Sequence, residues 1–63
     1  MKPGDKVEVN QVWAGGSLIP LRSWFKGYEF VRTEGVNAIV KHTEGMYKGI
    51  DVRYPVVDVR ACA

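Results

Sequence analysis

Few side chains in this 63-residue chain could carry covalent or acid–base chemistry. His42 is the single histidine and Cys62 the single cysteine. A nucleophile needs a base beside it, and the base needs a third group to orient it. No Ser, Cys or carboxylate stands at a recognised spacing from His42, which reads as an exposed or half-buried strand residue near a rim. Glu34 and Glu44 are each followed by glycine and read as turn formers rather than an acid–base pair. Cys62, in the run Arg60-Ala61-Cys62-Ala63, reads as packed or frayed rather than as a reactive thiol. One cysteine closes no internal disulfide, and no Cys/His cluster supplies a zinc site. We therefore expect no catalytic residue, no metal and no cofactor.

Binding chemistry is better represented. The chain holds two Trp, three Tyr and two Phe, more than the core of so small a domain can take. Tyr28, Phe30 and Tyr54 fall at core positions, which leaves Trp13, Trp24, Phe25 and Tyr47 for the surface. Surface aromatics on one rim could stack nucleobases, at about 1–3 kcal/mol per base. They could equally cage a methylated lysine through cation–π contacts of roughly 0.5–2 kcal/mol. Trp13 could instead fold over the domain's open end as a plug. Near it, Leu18, Ile19 and Leu21 form an apolar group that would be an exposed patch unless covered, and such patches mark interfaces.

The charge balance is weakly basic, at +2. The signs are interspersed: Lys6 by Glu8, Glu29 by Arg32, Asp51 by Arg53, Asp58 by Arg60. Alternating signs usually mean solvated strand faces, with a phosphate-tracking stripe as the other reading.

The elements that position these residues are strands. No window shows helical spacing of apolar residues, and seven glycines and three prolines punctuate the chain. Alternation of Val7 and Val9 with charged neighbours predicts a first strand over about 5–12, entered through a Pro3-Gly4-Asp5 turn. Residues 13–23 read as a long loop, with flexible Gly15-Gly16 and ladder-blocking Pro20. A second strand over about 24–33 carries a bend at Gly27. Glu34-Gly35 signals a tight turn into a third strand, 37–43. A fourth strand covers 50–54, Pro55-Val56-Val57 forms a 3₁₀ turn, and 58–61 is the fifth strand. The expected fold is all-β: a five-stranded SH3-like barrel in one domain, 1–63, with a long loop between strands one and two.

These residues resemble known barrels. Lys2-Pro3-Gly4-Asp5-Lys6-Val7-Glu8-Val9 resembles the first strand of Tudor, Agenet and KOW-type barrels, and Trp24-Phe25-Lys26-Gly27 their aromatic pair at a strand bend. Tyr54-Pro55-Val56-Val57-Asp58-Val59 resembles the proline turn and last strand of SH3 domains. The resemblance implies a binding module. A narrower resemblance is to the plasmid-encoded type II dihydrofolate reductases, small SH3-like chains that form tetramers around one pore. It rests on Trp24 to Gly27 and on Tyr54-Pro55-Val56. That family's pore uses a Val-Gln-Ile-Tyr run; here Asp51-Val52-Arg53-Tyr54 shares only the tyrosine.

The leading expectation is a non-enzymatic module that docks on a protein, of the kind small phage or plasmid accessory proteins provide. Trp13, Leu18, Ile19, Leu21 and Trp24 would make contact, with Tyr47 nearby and Arg22, Lys26 and Lys48 around them. Self-association through the same segment is part of this reading. A second reading is nucleic-acid binding, with Lys26, Arg32, Lys41, Lys48 and Arg53 on phosphates and Trp24 or Tyr47 on bases. The reductase-like homo-oligomer is the third. The polar N-terminus lacks a signal region, the apolar runs are too short to span a bilayer, and one reduced cysteine suits the cytoplasm. The start at Met1 suits a complete small gene product.

Overall fold

The structure is a computed structural model. It describes residues 1–14 and 17–62, and among them the side chains outside 11–14 and 17–23. Five strands follow one another: β1 (Lys6–Ala14), β2 (Ser17–Glu34), β3 (Asn37–His42), β4 (Asp51–Pro55) and β5 (Val59–Ala61), with a 3₁₀ turn at Val56–Asp58. They form one antiparallel sheet in the order β4-β3-β2-β1-β5. The all-β, five-stranded expectation holds.

Two details of the expectation need correction. The sheet is not closed into a barrel: β4 and β5 are its two edges, joined through the 3₁₀ turn but sharing no ladder. Where residues of the expected long loop over 13–23 are described, at 13–14 and 17–23, they are instead strand. β1 continues to Ala14, β2 begins at Ser17, and the two pair as a hairpin with Gln11 opposite Pro20, Val12 opposite Ile19, Trp13 opposite Leu18 and Ala14 opposite Ser17. Pro20 misled because a proline is barred only from a strand with neighbours on both sides. Here β3 pairs with β2 only from Tyr28 onward, so the Pro20 stretch has a ladder on one side.

Local chemistry explains the turns. Pro3-Gly4 occupies the two central positions of a turn closed by the Asp5 N–H donating to Lys2 O at 3.0 Å. Gly4 has φ +94°, as the third position of a type II turn requires. The Asp5 carboxylate accepts from the Lys2 N–H at 2.9 Å, locking the chain into β1. Gly27 has φ +103°, and the β1–β2 register shifts between Val7 and Val9, where the sequence placed its bend.

Alternation then builds the core. Val7, Val9, Tyr28, Phe30, Ala38, Val40, Tyr54 and Val59 pack together, with Val52 and Val56 against them. Each fully buried valine, such as Val40, contributes roughly 1.5–3 kcal/mol by leaving water. All three aromatics expected inside are inside. The opposite face carries charge: Lys6, Glu29, Lys41 and Asp51 stand opposite one another across four strands, alternating in sign. Ile39 lies on that face yet is buried, flanked in register by Arg32 and Arg53.

Candidate functional site

Two regions compete for the role. The first is the distal part of the β1–β2 hairpin. β5 pairs with β1 only over Val7–Val9, and β3 pairs with β2 only over Tyr28–Glu34. Residues 11–14 and 17–20 therefore pair only with each other in the ladders described. They form a two-stranded ribbon attached to the sheet.

The ribbon's root is irregular. From Val9 to Gln11 the ladder advances two residues on β1 but five on β2, from Phe25 to Pro20, so residues 21–24 bulge. A polar cluster fixes this root. Arg60 Nε donates to Glu8 Oε1 at 2.9 Å, and the same guanidinium lies 4.1 Å from the Trp24 ring centre. Glu8 is nearly buried, so a charged donor is what makes its placement affordable. Beside it, Asn10 Oδ1 is buried without a hydrogen-bond partner. A buried, unsatisfied acceptor typically costs about 1–3 kcal/mol.

The second region lies on the sheet, where the β3–β4 connection returns. Lys6, Glu29, Lys41, His42, Thr43, Lys48 and Gly49 line an open cleft of about 300 Å³. Backbone bonds hold the connection over the sheet end: Gly49 N–H donates to His42 O at 2.8 Å, His42 N–H to Ile50 O at 3.0 Å, and Thr43 N–H to Gly27 O at 2.9 Å. Beside the cleft is a run of rings. Tyr54 meets Tyr28 edge-on at 6.0 Å, Tyr28 lies 4.8 Å from His42, and His42 lies 5.7 Å from Tyr47. The run passes from the core to the surface: Tyr54 is 2% exposed and Tyr47 57%.

The charges in and around the cleft differ in how they are engaged. Lys6 approaches Glu29 at 3.8 Å, the lysine largely solvated and the carboxylate half-buried. Among the described residues Lys41 and Lys48 have no ion-pair partner. Glu34 engages two of the arginines read as phosphate contacts. Arg32 Nε donates to it at 2.8 Å and Arg53 Nη2 at 3.1 Å. The Arg32 hydrogen bond first, and the charges of both arginines, hold the Glu34 carboxyl below its ordinary value. Burial pushes the Tyr54 phenol well above its ordinary value, and the hydrogen bond it shares with Tyr28 adds to this.

The structure therefore sorts the expected site residues. Lys41 and Lys48 meet at the cleft, while Arg32 and Arg53 meet at Glu34. Lys26 is exposed and outside the cleft lining. Trp24 is half-buried with Arg60 over its ring, and Tyr47 is exposed beside His42. Trp13, Leu18 and Ile19 have ladder positions in the ribbon and Leu21 falls in the bulge at its root; the side chains of all four lie outside those described. Sequence reasoning missed Lys6, Glu29 and Thr43. Lys6 and Lys41 lie far apart in sequence, and only the register through Glu29 aligns them.

Among the described residues no group of three or more His, Cys, Asp or Glu could hold a metal ion, and no helix is long and apolar enough to cross a membrane. Comparison of the chain with protein-family models, with curated proteins and with solved structures gave no match.

Proposed function

We propose that this protein is a non-enzymatic interaction module, of the SH3-like kind its sequence resembles, whose β1–β2 ribbon docks into an apolar groove of a partner protein. One observation carries the reading. Residues 11–14 and 17–20 pair only with each other, yet apolar residue types occupy consecutive ladder positions, Val12 with Ile19 and Trp13 with Leu18. Consecutive positions in a strand belong to opposite faces. A ribbon with apolar types in both rows is suited to insertion between two walls of a groove rather than to lying on a flat surface.

Charge specifies the groove further. Arg22 and Lys26 flank the ribbon root in sequence, and residues 11–14 and 17–20 carry no charge. The matching groove is apolar inside and acidic at its rim, which gives orientation and speeds association. The expected setting is the cytoplasm.

The test has two stages. A pull-down from the native host compares wild type with the double variant Trp13→Ala/Leu18→Ser. A retained protein that is lost with the variant is then purified and mixed with this chain. Amide hydrogen exchange over residues 11–20 should slow in the complex, with β3 and β4 unchanged. Equal retention by wild type and variant, or protection elsewhere than the ribbon, would reject the proposal.

A further inference from the structure

The lysine cleft is remote in role from the ribbon and has its own chemistry. Lys6, Lys41 and Lys48 converge on it against one carboxylate, Glu29. Lys41 also stands opposite Asp51 across the β3–β4 ladder. Thr43 adds a hydroxyl and Gly49 removes side-chain bulk from one wall. Lysine ammonium groups act as mobile point charges that suit a phosphate without fixing its orientation. Orientation must come from elsewhere, and the ring run supplies it. His42 lines the cleft and has Tyr28 at 4.8 Å and Tyr47 at 5.7 Å between ring centres, so the exposed Tyr47 ring, itself outside the lining, lies one ring away from the cleft.

We infer that this cleft binds a nucleotide unit, its phosphate among Lys6, Lys41 and Lys48 and its base on Tyr47. The cleft volume, about 300 Å³, lies at the lower end of the range for small-ligand sites, which suits one nucleotide rather than a larger cofactor. An open cleft also lets a strand continue past it, so the unit could belong to a free mononucleotide or to a single-stranded nucleic acid. The two arginines tied to Glu34 are not needed. This site is independent of ribbon docking.

The experiment uses the full chain with two probes: a fluorescently labelled short oligothymidylate, and unlabelled UMP with inorganic phosphate as its control. The variants are Lys41→Gln/Lys48→Gln, Tyr47→Ala and, outside the cleft, Lys2→Gln. Binding at low salt should weaken by about tenfold or more in the double lysine variant and by about tenfold in Tyr47→Ala, the loss of one stacked base. Lys2→Gln should bind as wild type does. Neutralising the one phosphate of the bound unit would give a logarithmic salt slope of about −0.7 for a single strand. Binding of UMP assigns the free nucleotide, and binding of the oligothymidylate alone assigns the nucleic acid; either supports the site. Three results would overturn it: no binding of either probe at low salt, equal loss with Lys2→Gln, or displacement by inorganic phosphate as effective as by UMP with Tyr47→Ala unchanged. Far-ultraviolet circular dichroism on each variant separates lost binding from lost fold.

Discussion

The sheet and the ribbon are built from the same two strands under opposite rules. In the sheet, β1 and β2 have neighbours on both sides, and their apolar residues, Val7, Val9, Tyr28 and Phe30, all point into one core. In the ribbon, the same strands pair only with each other, and apolar residue types occupy both rows. The apolar residues of the sheet pack on one another, whereas the apolar types of the ribbon stand at positions with a ladder on one side in the ladders described. The transition between the two regimes is abrupt, at the bulge over residues 21–24. The Glu8–Arg60–Trp24 cluster anchors that point. A chain of 63 residues has little stability to spare, so the proposed docking turns on what covers the apolar types of the ribbon.

Mutations test the contrast between sheet and ribbon. The largest effect should come from Tyr54→Ala, which empties the core at the residue joining β4 to the ring run. We expect a loss of about 3–5 kcal/mol in denaturant titration, enough to unfold much of the population. Gly27→Ala should follow, at about 1–2 kcal/mol. The left-handed backbone there resists any side chain, and the new Cβ would stand 3.1 Å from Glu44 Oε1. A normal melting temperature for this variant would mean that the β1–β2 bulge is unimportant.

Glu8→Gln should cost about 1 kcal/mol. It removes the charge from a nearly buried acceptor, while its partner Arg60 is half exposed and regains water. The smallest change in stability, within about 0.5 kcal/mol, should come from Trp13→Ala/Leu18→Ser in the ribbon. A loss comparable to that of Tyr54→Ala would show that Trp13 plugs the core, and the contrast between the two regions would collapse.

The Tyr54 phenol gives a check through pH. Its folded-state value is raised, so the folded state keeps a proton that the unfolded chain gives up above about pH 10. The stabilisation is fully present below that pH and is lost as pH rises toward the folded value. Stability should therefore decline through the alkaline range in denaturant titrations at stepped pH, and the decline should be shallower in Tyr54→Phe. Glu34 works in the opposite sense: its lowered value gives a contribution present above the ordinary carboxylate range and lost in acid. It is a surface interaction, so salt should weaken it.

Most of the sheet was legible in the residues. The alternation in Val7-Glu8-Val9, the Pro3-Gly4 turn, the bend at Gly27 and the Glu34-Gly35 turn are local signals, and each produces the local structure it specifies. Tyr28, Phe30 and Tyr54 were legible as core because their spacing places them on one face. The ribbon was not. Gly15-Gly16 and Pro20 are loop signals taken alone, and their meaning depends on whether a second neighbour strand is present.

What the sequence determined by itself was the strands, their turns and the apolar face, because these follow from backbone freedom and two-residue alternation. Tertiary structure alone decided three things. It left the sheet open, since β4 and β5 share no ladder. It turned the apolar insertion into a ribbon by pairing it with the end of β1. It drew Lys6, Lys41 and Lys48 together while tying Arg32 and Arg53 to Glu34. The physical reason is the same each time: register between strands distant in sequence determines which charges meet, and no local pattern encodes register.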